Sequence, residues 1–565
     1  MDIFKIKKTY LSARRLQEII NVFIKHGFGQ FIDQIHLGKF VPFKRRLKIF
    51  GKWPTIHVPS TAERLRIAFE ELGPTFIKLG QLLASRQDLL GDLYIKEFKK
   101  LQDKVAAFEI SKVYEIIEKE LGVSPDKIFK FFNPHPIGSA SIAQVHEAVL
   151  VNGEEVIVKI RRPGIREQIA VDLNILKMIA RLIEKNIPES KIFDPSGIIN
   201  EFSRSINREL DFRREAKNAI IFREQFKEDE SVHIPYIYRQ FTTEKVLIME
   251  KVHGIRIDNL KDLHQNALDI REILNKVLDM YFKQIFVHGF FHGDPHPGNI
   301  LITKAGKIAL VDFGIVGRID EQFKEAYANI ALAIINYNTD LLIEEYLKLG
   351  VIPDDMDIDR LKRELKEDID EILYPLYFYP LQEIKLSELI ESVMKVALKN
   401  RLRFPPELFL IDKVLIMLDG LVRELCPKAS IIELIKPYAE VIIAEKLKPD
   451  YHLKKANRAI EEFKSALENI PFQLKTILKK LVADRMTVRM YHVNLPEFLK
   501  DIDRASNKIS FSLIVSAMIL SSAIMHASSV KPLVYGVSLF ALITGLVAFF
   551  LGIWLIISII RSGRL

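Results

Sequence analysis

With one cysteine, Cys426, among 565 residues, the chain cannot form an intrachain disulfide framework, and its fold must rest on burial and hydrogen bonding, as suits a reducing compartment. It has no internal repeat and no low-complexity linker, which argues against a solenoid or a tethered array. The N-terminal stretch MDIFKIKKTYLSARRLQEIINVFIKHGFG lacks the unbroken apolar core and small-residue cleavage site of a secretory signal, so it is expected to be retained. Nor is the composition that of a disordered chain: 48 % hydrophobic and 27 % charged residues describe a folded protein, long enough for two or more domains. Acidic residues are outnumbered, 73 against 82 basic ones, which leaves a net charge of +9 and a pI near 9.1. Such a balance points to nucleic acid or to an anionic membrane surface. Both ends of the chain favour the membrane, and no nucleic-acid partner is expected.

Charge disappears altogether near the C-terminus. Residues 509–530 carry none, and neither do 533–560. About 20 helical residues already cross a bilayer core, so two transmembrane helices joined at HASSVKP are predicted. Lys500, Arg504 and Lys508 precede the pair and Arg561 and Arg564 follow it, against a lone Lys531 between. The positive-inside rule then puts both outer ends, and the bulk of the chain, on the cytoplasmic side of the inner membrane. At the other end, Leu16, Ile19, Ile20 and Phe23 share one helical face, with Lys7, Lys8, Arg14, Arg15 and Lys25 nearby. That pattern suits a helix lying at a lipid interface or an ordinary amphipathic helix packed on its own domain.

The stretch around which the chain is organised is HGFFHGDPHPGNILITKAGKIALVDFG, residues 288–314. Apolar runs at 300–303 and 307–311 flank Lys304, Ala305 and Gly306, which reads as a hairpin with a tight glycine-containing turn. Its open end brings Asn299 and Asp312 together, and Asp294 precedes Asn299 by five positions across a turn-rich segment. Mg²⁺ prefers oxygen ligands and keeps part of its water, which suits one carboxylate, one amide oxygen and nucleotide phosphates, with Asn299 and Asp312 as the metal-side residues. Asp294 is left to orient or deprotonate an attacking hydroxyl or water. A catalytic Asp five residues before a metal-binding Asn, with Asp-Phe-Gly delivered by the following hairpin, is the kinase layout. A zinc site at His292 and His296 is weaker, because Pro295 breaks any continuous helical face and Cys426 is remote.

Upstream, helical periodicity runs over 61–72 and 111–121, and between them lies GPTFIKLGQLLASRQDLL. Gly73 and Pro74 mark a helix start, Lys78 and Gln81 would share a face, and Gly80 within the helix implies a close approach. In PIGSASIAQVHEAVLVNGEEVIVKIRRPG, Asn152-Gly153 predicts a type I′ hairpin joining strands at 143–151 and 154–160, with Lys159 near the end of the second. The small residues Gly138, Ser139, Ala140 and Ser141 before the first strand would let backbone amides approach a phosphate. A kinase lysine needs a carboxylate on a packed helix, and Glu215 is the candidate because Ala216, Ala219 and Ile220 supply the packing face. After a strand at 245–250, the segment 249–254, with Met249, Glu250 and Val252, has the place of an inter-lobe hinge facing adenine. Residues 260–290 and 320–505 are almost wholly helical in pattern, with breaks near Pro353, Pro375, Pro380, Pro405 and Pro471.

Taken in order, KLGQ at 78–81, SASIAQVH ending at His146, VKI around Lys159, ELDFRREA at 209–216, HGDPHPGNI and DFG resemble the UbiB family of atypical kinases, over roughly residues 60–330. The paired C-terminal helices resemble its bacterial members. The resemblance implies an α+β, protein-kinase-like two-lobe fold with an N-terminal helical extension and a C-terminal transmembrane helical hairpin. It implies ATP and Mg²⁺ as cofactors and a role in the biosynthesis of ubiquinone (coenzyme Q) or a related isoprenoid quinone. The partners implied are the lipid bilayer, an isoprenoid lipid or quinone precursor, and other quinone-biosynthesis enzymes. It also makes Lys159 and Glu215 the nucleotide-side ion pair, and puts Lys78 and Gln81 on an inserted helix over the active site, Lys78 facing Glu209 and Asp211.

Two departures from ordinary kinases stand out: Gly293 replaces the arginine that reads a phosphorylated activation loop, and no Ala-Pro-Glu follows DFG. Control by activation-loop phosphorylation is therefore not expected. Gly138 stands where the family's phosphate loop is rich in alanine. The expected segments are 1–59, basic and amphipathic; 60–130, the helical extension; 131–254, the N-lobe; 255–505, the helical C-lobe; and 509–560, the membrane pair. Two other functions fit parts of the pattern: a small-molecule phosphotransferase of the aminoglycoside type, and a catalytically idle nucleotide-binding scaffold for quinone-synthesis enzymes.

Overall fold

Antiparallel pairing of β-branched strands builds the first lobe. The computed structural model describes residues 3–37, 59–446 and 495–561, apart from positions 85, 87–89, 102–104, 351–356, 375–377, 379–382, 401, 403, 428, 529–530 and 535–536. Five strands, β1 (Phe129–Phe132), β2 (Gly138–Ser139), β3 (Ala143–Leu150), β4 (Glu155–Arg161) and, after the two-residue β5 (Val232–His233), β6 (Val246–Glu250), form a sheet in the order β1-β3-β4-β6, with β2 on β3. Alternation places Val156, Val158 and Ile160 on one face with Ala148, Leu150, Val246 and Ile248, and the helix Ile110–Leu121 covers that face with Val113 and Ile117. Each such side chain contributes about 1.5–3 kcal/mol when fully buried.

The β3–β4 turn departs from the expected type I′. Gly153 alone takes a positive φ, +90°, and its N–H donates to Leu150 O at 2.9 Å while Leu150 N–H donates to Glu154 O at 2.9 Å. These bonds make a three-residue loop, Val151 to Gly153, with glycine at the left-handed position. Asn152 stays at negative φ because its Oδ1 accepts from Glu154 N at 3.1 Å.

Two helices, Ile165–Asn186 and Pro195–Glu209, stand between β4 and the helix Phe212–Gln225, and only the first of them was not foreseen. The first receives the N-terminal helix Ile3–Lys25. Leu16, Ile19, Ile20 and Val22 of that helix are buried at 8 % exposure or less, so its apolar stripe is protein core and the lipid-interface alternative is overturned. A buried charge accompanies the contact: Arg15 Nε donates to Asp172 Oδ1 at 2.8 Å, Arg15 Nη2 to Leu72 O at 2.6 Å, and Thr75 Oγ1 to Asp172 Oδ2 at 2.6 Å. Asp172 is fully buried, and this complete pairing is what makes its charge tolerable there.

The second lobe is helical around a small sheet in the order β5-β10-β9-β7, where β7 is Gly254–Arg256 and β9 (Ile300–Thr303) and β10 (Ile308–Leu310) are the expected hairpin, closed at Gly306 with φ +71°. The helix Ile270–Phe282 runs into a π-helical turn, Lys283–His288, before β8 (Phe290–His292), which pairs with β11 (Val316–Arg318). Helices Glu321–Ile335, Thr339–Leu349, Ile358–Leu373, Leu386–Lys399, Pro406–Leu425 and Ile431–Lys446 complete this part. The α+β, two-lobed protein-kinase-like layout with an N-terminal helical extension is therefore what the chain adopts. Pro437 lies inside its helix and does not end it. The expected breaks at Pro353, Pro375, Pro380 and Pro471, and the helical pattern over 447–494, fall outside the described residues.

The C-terminal unit is a pair of packed helices, Leu495–Ala527 and Leu539–Arg561, with apolar spans Ser506–Ala527 and Leu539–Ile556 long enough to cross a membrane. The second helix begins later than expected: Leu533–Val534 and Val537–Ser538 pair as a two-stranded turn, where Pro532 lacks an N–H and two valines favour extended backbone. Small residues let the helices approach, for a Cβ added at Gly545 would lie 3.0 Å from Ser522 Oγ, whose hydroxyl donates to Ala541 O at 2.6 Å.

Candidate active site

Lys159 enters the cleft from β4, where its neighbours Val158 and Ile160 are buried in the sheet. Its Nζ donates to Glu215 Oε1 and Oε2 at 2.9 and 2.8 Å and lies 3.4 Å from Asp312 Oδ2. Glu215 is held in the first turn of the helix Phe212–Gln225, whose buried face includes Phe212, Ala216, Ala219 and Phe222. Burial works against the charged form of all three groups. Even so, the Asp312 and Glu215 carboxylates raise the Lys159 pKa above its ordinary value, and Lys159 holds Asp312 at about 2. Burial pushes the Glu215 carboxyl up against the pull of the same ammonium. The trio is an assembled ion cluster, with Asp312 Oδ1 further fixed by the Gly314 N–H at 2.8 Å.

The catalytic-loop expectation can be followed atom by atom. Asn299 Nδ2 donates to Asp294 Oδ2 at 3.0 Å and to Asp294 O at 3.1 Å, which turns the amide oxygen Oδ1 away from Asp294. Val311 N–H donates to Asn299 O at 3.2 Å, so the open end of the β9–β10 hairpin brings Asn299 beside the Asp312 segment. His292 is fully buried, and burial lowers its pKa; its neutral ring donates from Nε2 to Asp312 O and accepts the Asp294 N–H at Nδ1, 3.3 Å away. This histidine ties the loop to the DFG segment and is not placed as a metal ligand. Among the described residues no group of three or more His, Cys, Asp or Glu side chains could hold a metal by itself. The donor set present, one carboxylate and one amide oxygen, suits a hard cation that shares its coordination with phosphate and water.

Gly293 has a packing reason. Its N–H donates to Ile315 O at 2.9 Å, and an added Cβ would lie 2.7 Å from Ile315 Cγ2 and 3.1 Å from Leu410 Cδ1. The π turn before it is the kind of local irregularity that marks functional sites.

The loop from Gly138 to Ser141 is a tight return into β3. Ala140 N–H donates to Ala143 O at 2.8 Å, so that amide is spent within the turn. Arg162 braces the loop: one nitrogen, Nη2, reaches Ser139 Oγ at 3.2 Å, Ala140 O at 3.2 Å and Ala106 O at 3.0 Å, with the guanidinium 5.3 Å over the Phe108 ring. Ser141 is buried. Gln144 and His146, the polar pair of the SASIAQVH stretch, hold residues beside the sheet: Gln144 Oε1 accepts from Phe108 N at 2.9 Å, and His146 Nδ1 meets Asn133 O at 2.8 Å. On the hinge side, Met249 and Glu250 are the last residues of β6, and Glu250 N–H already donates to Tyr236 O; Lys251 and Val252 follow towards β7.

The KLGQ helix, Pro74–Ala84, places Lys78 Nζ 3.2 Å from Glu209 Oε2, both side chains less than one-fifth exposed. Gln81 Nε2 donates to Leu101 O at 3.3 Å. Gly80 is where Leu101 and Phe69 press on the helix, since an added Cβ would meet them at 2.3 and 3.0 Å. Asp211 caps the helix Phe212–Gln225 and pairs with Arg213 at 2.8 Å. Sequence reasoning missed Lys413: from the helix Pro406–Leu425 its Nζ reaches Asp294 Oδ1 at 3.2 Å. No spacing rule could have paired two residues 119 positions apart.

Comparison with known proteins identifies relatives along most of the chain. Residues 100–346 match the ABC1 atypical kinase-like domain, 369–430 the UbiB helical domain and 493–561 the ABC1/UbiB kinase-like C-terminal domain. The chain is 33 % identical to a Clostridium pasteurianum protein described as an uncharacterized protein in the hydrogenase 1 5′ region, over 98 % of this chain and 100 % of that one. It is 30 % identical to a Vibrio cholerae protein named "Probable protein kinase UbiB", over 93 % of this chain and 96 % of that one. Among solved structures, an erythromycin complex from Mycobacterium tuberculosis aligns at 24 % identity and a TM-score of 0.41, over 65 % of this chain and 96 % of that one.

Proposed function

Because the chain belongs to the UbiB family of atypical kinases, we propose that it is a membrane-anchored kinase or ATPase that uses Mg-ATP to support the biosynthesis of ubiquinone or a related isoprenoid quinone. One observation carries the reading: Lys159 Nζ stands within hydrogen-bonding distance of Glu215 and beside Asp312, a preassembled cation for nucleotide phosphates. In this reading Gly138, Ser139, Ala140 and Ser141 border the phosphates, and Met249, Glu250 and Val252 border the adenine. Asn299 and Asp312 would hold Mg²⁺, which when bound neutralises charge on the phosphates. Asp294 orients the attacking hydroxyl or water and takes its proton; Asn299 fixes that carboxylate.

Lys78 belongs to the catalytic set with Asp294 and Lys159, and Gln81, with Glu209 and Asp211 on the facing segment, regulates access. The helix of Lys78 and Gln81 occupies a surface where a peptide would lie, which favours a smaller or lipid-borne acceptor, or water. The apolar spans Ser506–Ala527 and Leu539–Ile556 anchor the chain in the cytoplasmic membrane, with the catalytic part in the cytoplasm. Purified full-length protein incubated with membrane lipid extract and labelled ATP tests the reading. Mg²⁺-dependent label in a lipid product or in free phosphate is expected; label in neither overturns it.

A further inference from the structure

Asp294 is held from two sides by residues of different origin. Asn299, in its own loop, takes Oδ2 at 3.0 Å; Lys413, from the helix Pro406–Leu425, takes Oδ1 at 3.2 Å. The lysine is placed with little freedom at its base. Leu408, Ile411, Val414 and Leu418 are buried, Leu410 packs on Gly293, and the adjoining Asp412 points inward to the Tyr327 hydroxyl at 3.2 Å.

Three facts argue that this is more than a structural salt bridge. The pair is about one-third exposed, 32 % and 33 % for the two side chains, and such pairs add little to stability. The catalytic loop from Asp294 to Asn299 contains no lysine or arginine of its own, so beside the metal that Asn299 and Asp312 would hold, this loop offers the transferring group no side-chain ammonium or guanidinium. Finally, Lys413 occupies Asp294 Oδ1 and Asn299 occupies Oδ2, so moving the ammonium away leaves one carboxylate oxygen open to the nucleophile.

Resting on the kinase or ATPase reading above, we propose that Lys413 is a catalytic residue: its ammonium leaves Asp294 for the γ-phosphate of bound ATP, freeing the carboxylate and stabilising the charge on the transferring phosphoryl group. The nucleophile oxygen then bonds to the γ-phosphorus as its proton passes to Asp294. The bond from that phosphorus to the bridging oxygen breaks, with the electron pair leaving on ADP. Lys413 stays protonated throughout and contributes charge alone. The helix Pro406–Leu425 of the second lobe thereby supplies a further side-chain cation to the site, besides Lys159.

The test compares full-length Lys413→Met and Lys413→Arg with the unaltered protein, measuring binding of ADP and of a non-hydrolysable ATP analogue with Mg²⁺, and ATP turnover. Lys413→Met should keep ADP affinity within about twofold, lose about tenfold or more in affinity for the ATP analogue, and fall at least about a hundredfold in kcat. Lys413→Arg should recover part of both losses. Retained discrimination between ATP analogue and ADP with unchanged kcat overturns the proposal, as does an equal loss of both affinities, which would mean that the lysine only braces the loop. Absence of Mg²⁺-dependent nucleotide binding in the unaltered protein overturns the nucleotide reading on which this rests, and is told apart because it precedes any substitution.

Discussion

Lys159 and Glu215 are 56 positions apart in the chain and 2.8 Å apart in space, and two whole helices are threaded between them. Both side chains are mostly buried, at 16 % and 8 % exposure. Breaking such a pair by removing one partner typically costs about 3 to 5 kcal/mol. Glu215→Gln should therefore lower thermal stability and weaken ATP affinity by at least about tenfold, because Lys159 would turn wholly to Asp312. Asp312→Asn should weaken binding chiefly in the presence of Mg²⁺. Calorimetric titration with and without the metal checks both, and identical affinities in the Asp312 variant would remove its metal role.

Asp412 predicts a pH dependence of stability. It is buried, touched by the Tyr327 hydroxyl, and burial pushes its pKa from the ordinary 3.8 up to about 7. A carboxyl whose folded pKa is raised favours the protonated form, so its stability contribution is complete below about pH 4 and is lost as pH rises through 7. The full span corresponds to about 4 kcal/mol at most. Asp412→Asn should melt higher than the unaltered protein at pH 8, by less at pH 5, and about equally near pH 4. Melting curves across that range decide it, and a constant difference would show that the carboxyl is not the titrating group.

Lys78 and Glu209 should be energetically coupled. A double-mutant cycle of Lys78→Ala and Glu209→Gln, read through nucleotide affinity and through the products labelled by ATP, is expected to be non-additive by about 0.5 to 3 kcal/mol. Generic peptides should remain unphosphorylated by the unaltered protein. Additive effects together with efficient peptide phosphorylation would return the KLGQ helix to an ordinary solvated surface.

Burial of the N-terminal helix sharpens a prediction about anchoring. With Leu16, Ile19, Ile20 and Val22 buried in the protein core, that stretch of the helix is not available to hold a bilayer. Protein cut after Ser506 should leave the membrane on carbonate extraction, whereas the full chain should stay. Retention of the cut protein would point to another anchor.

Local signals were readable where chemistry and turn geometry coincide. The β9–β10 hairpin closes at Gly306 as its residues dictate, and the motif set resembling the UbiB family leads to the family that the comparisons establish. Asn152-Gly153 gave the hairpin but not its turn type, because the side chain of Asn152 bonds locally to Glu154 and only the glycine needs positive φ. The amphipathic pattern of residues 3–25 could not say what covers it, since protein and lipid offer the same burial. Arg162 and Lys413 were illegible for a different reason: each acts through contacts with distant segments that no period or spacing encodes.

The docking of the helix Ile3–Lys25 on the helix Ile165–Asn186 also bears on the birth of the protein at the ribosome. The covering surface, including the Asp172 that receives Arg15, is translated some 150 residues after the helix it must shelter, an interval set by the separation of 157 positions between those two partners. At about 5–20 residues per second the first helix spends many seconds with its leucine and isoleucine face open. Slowing or pausing translation within that window would prolong its availability to chaperones, proteases or a nearby bilayer, without altering a single residue of the finished molecule.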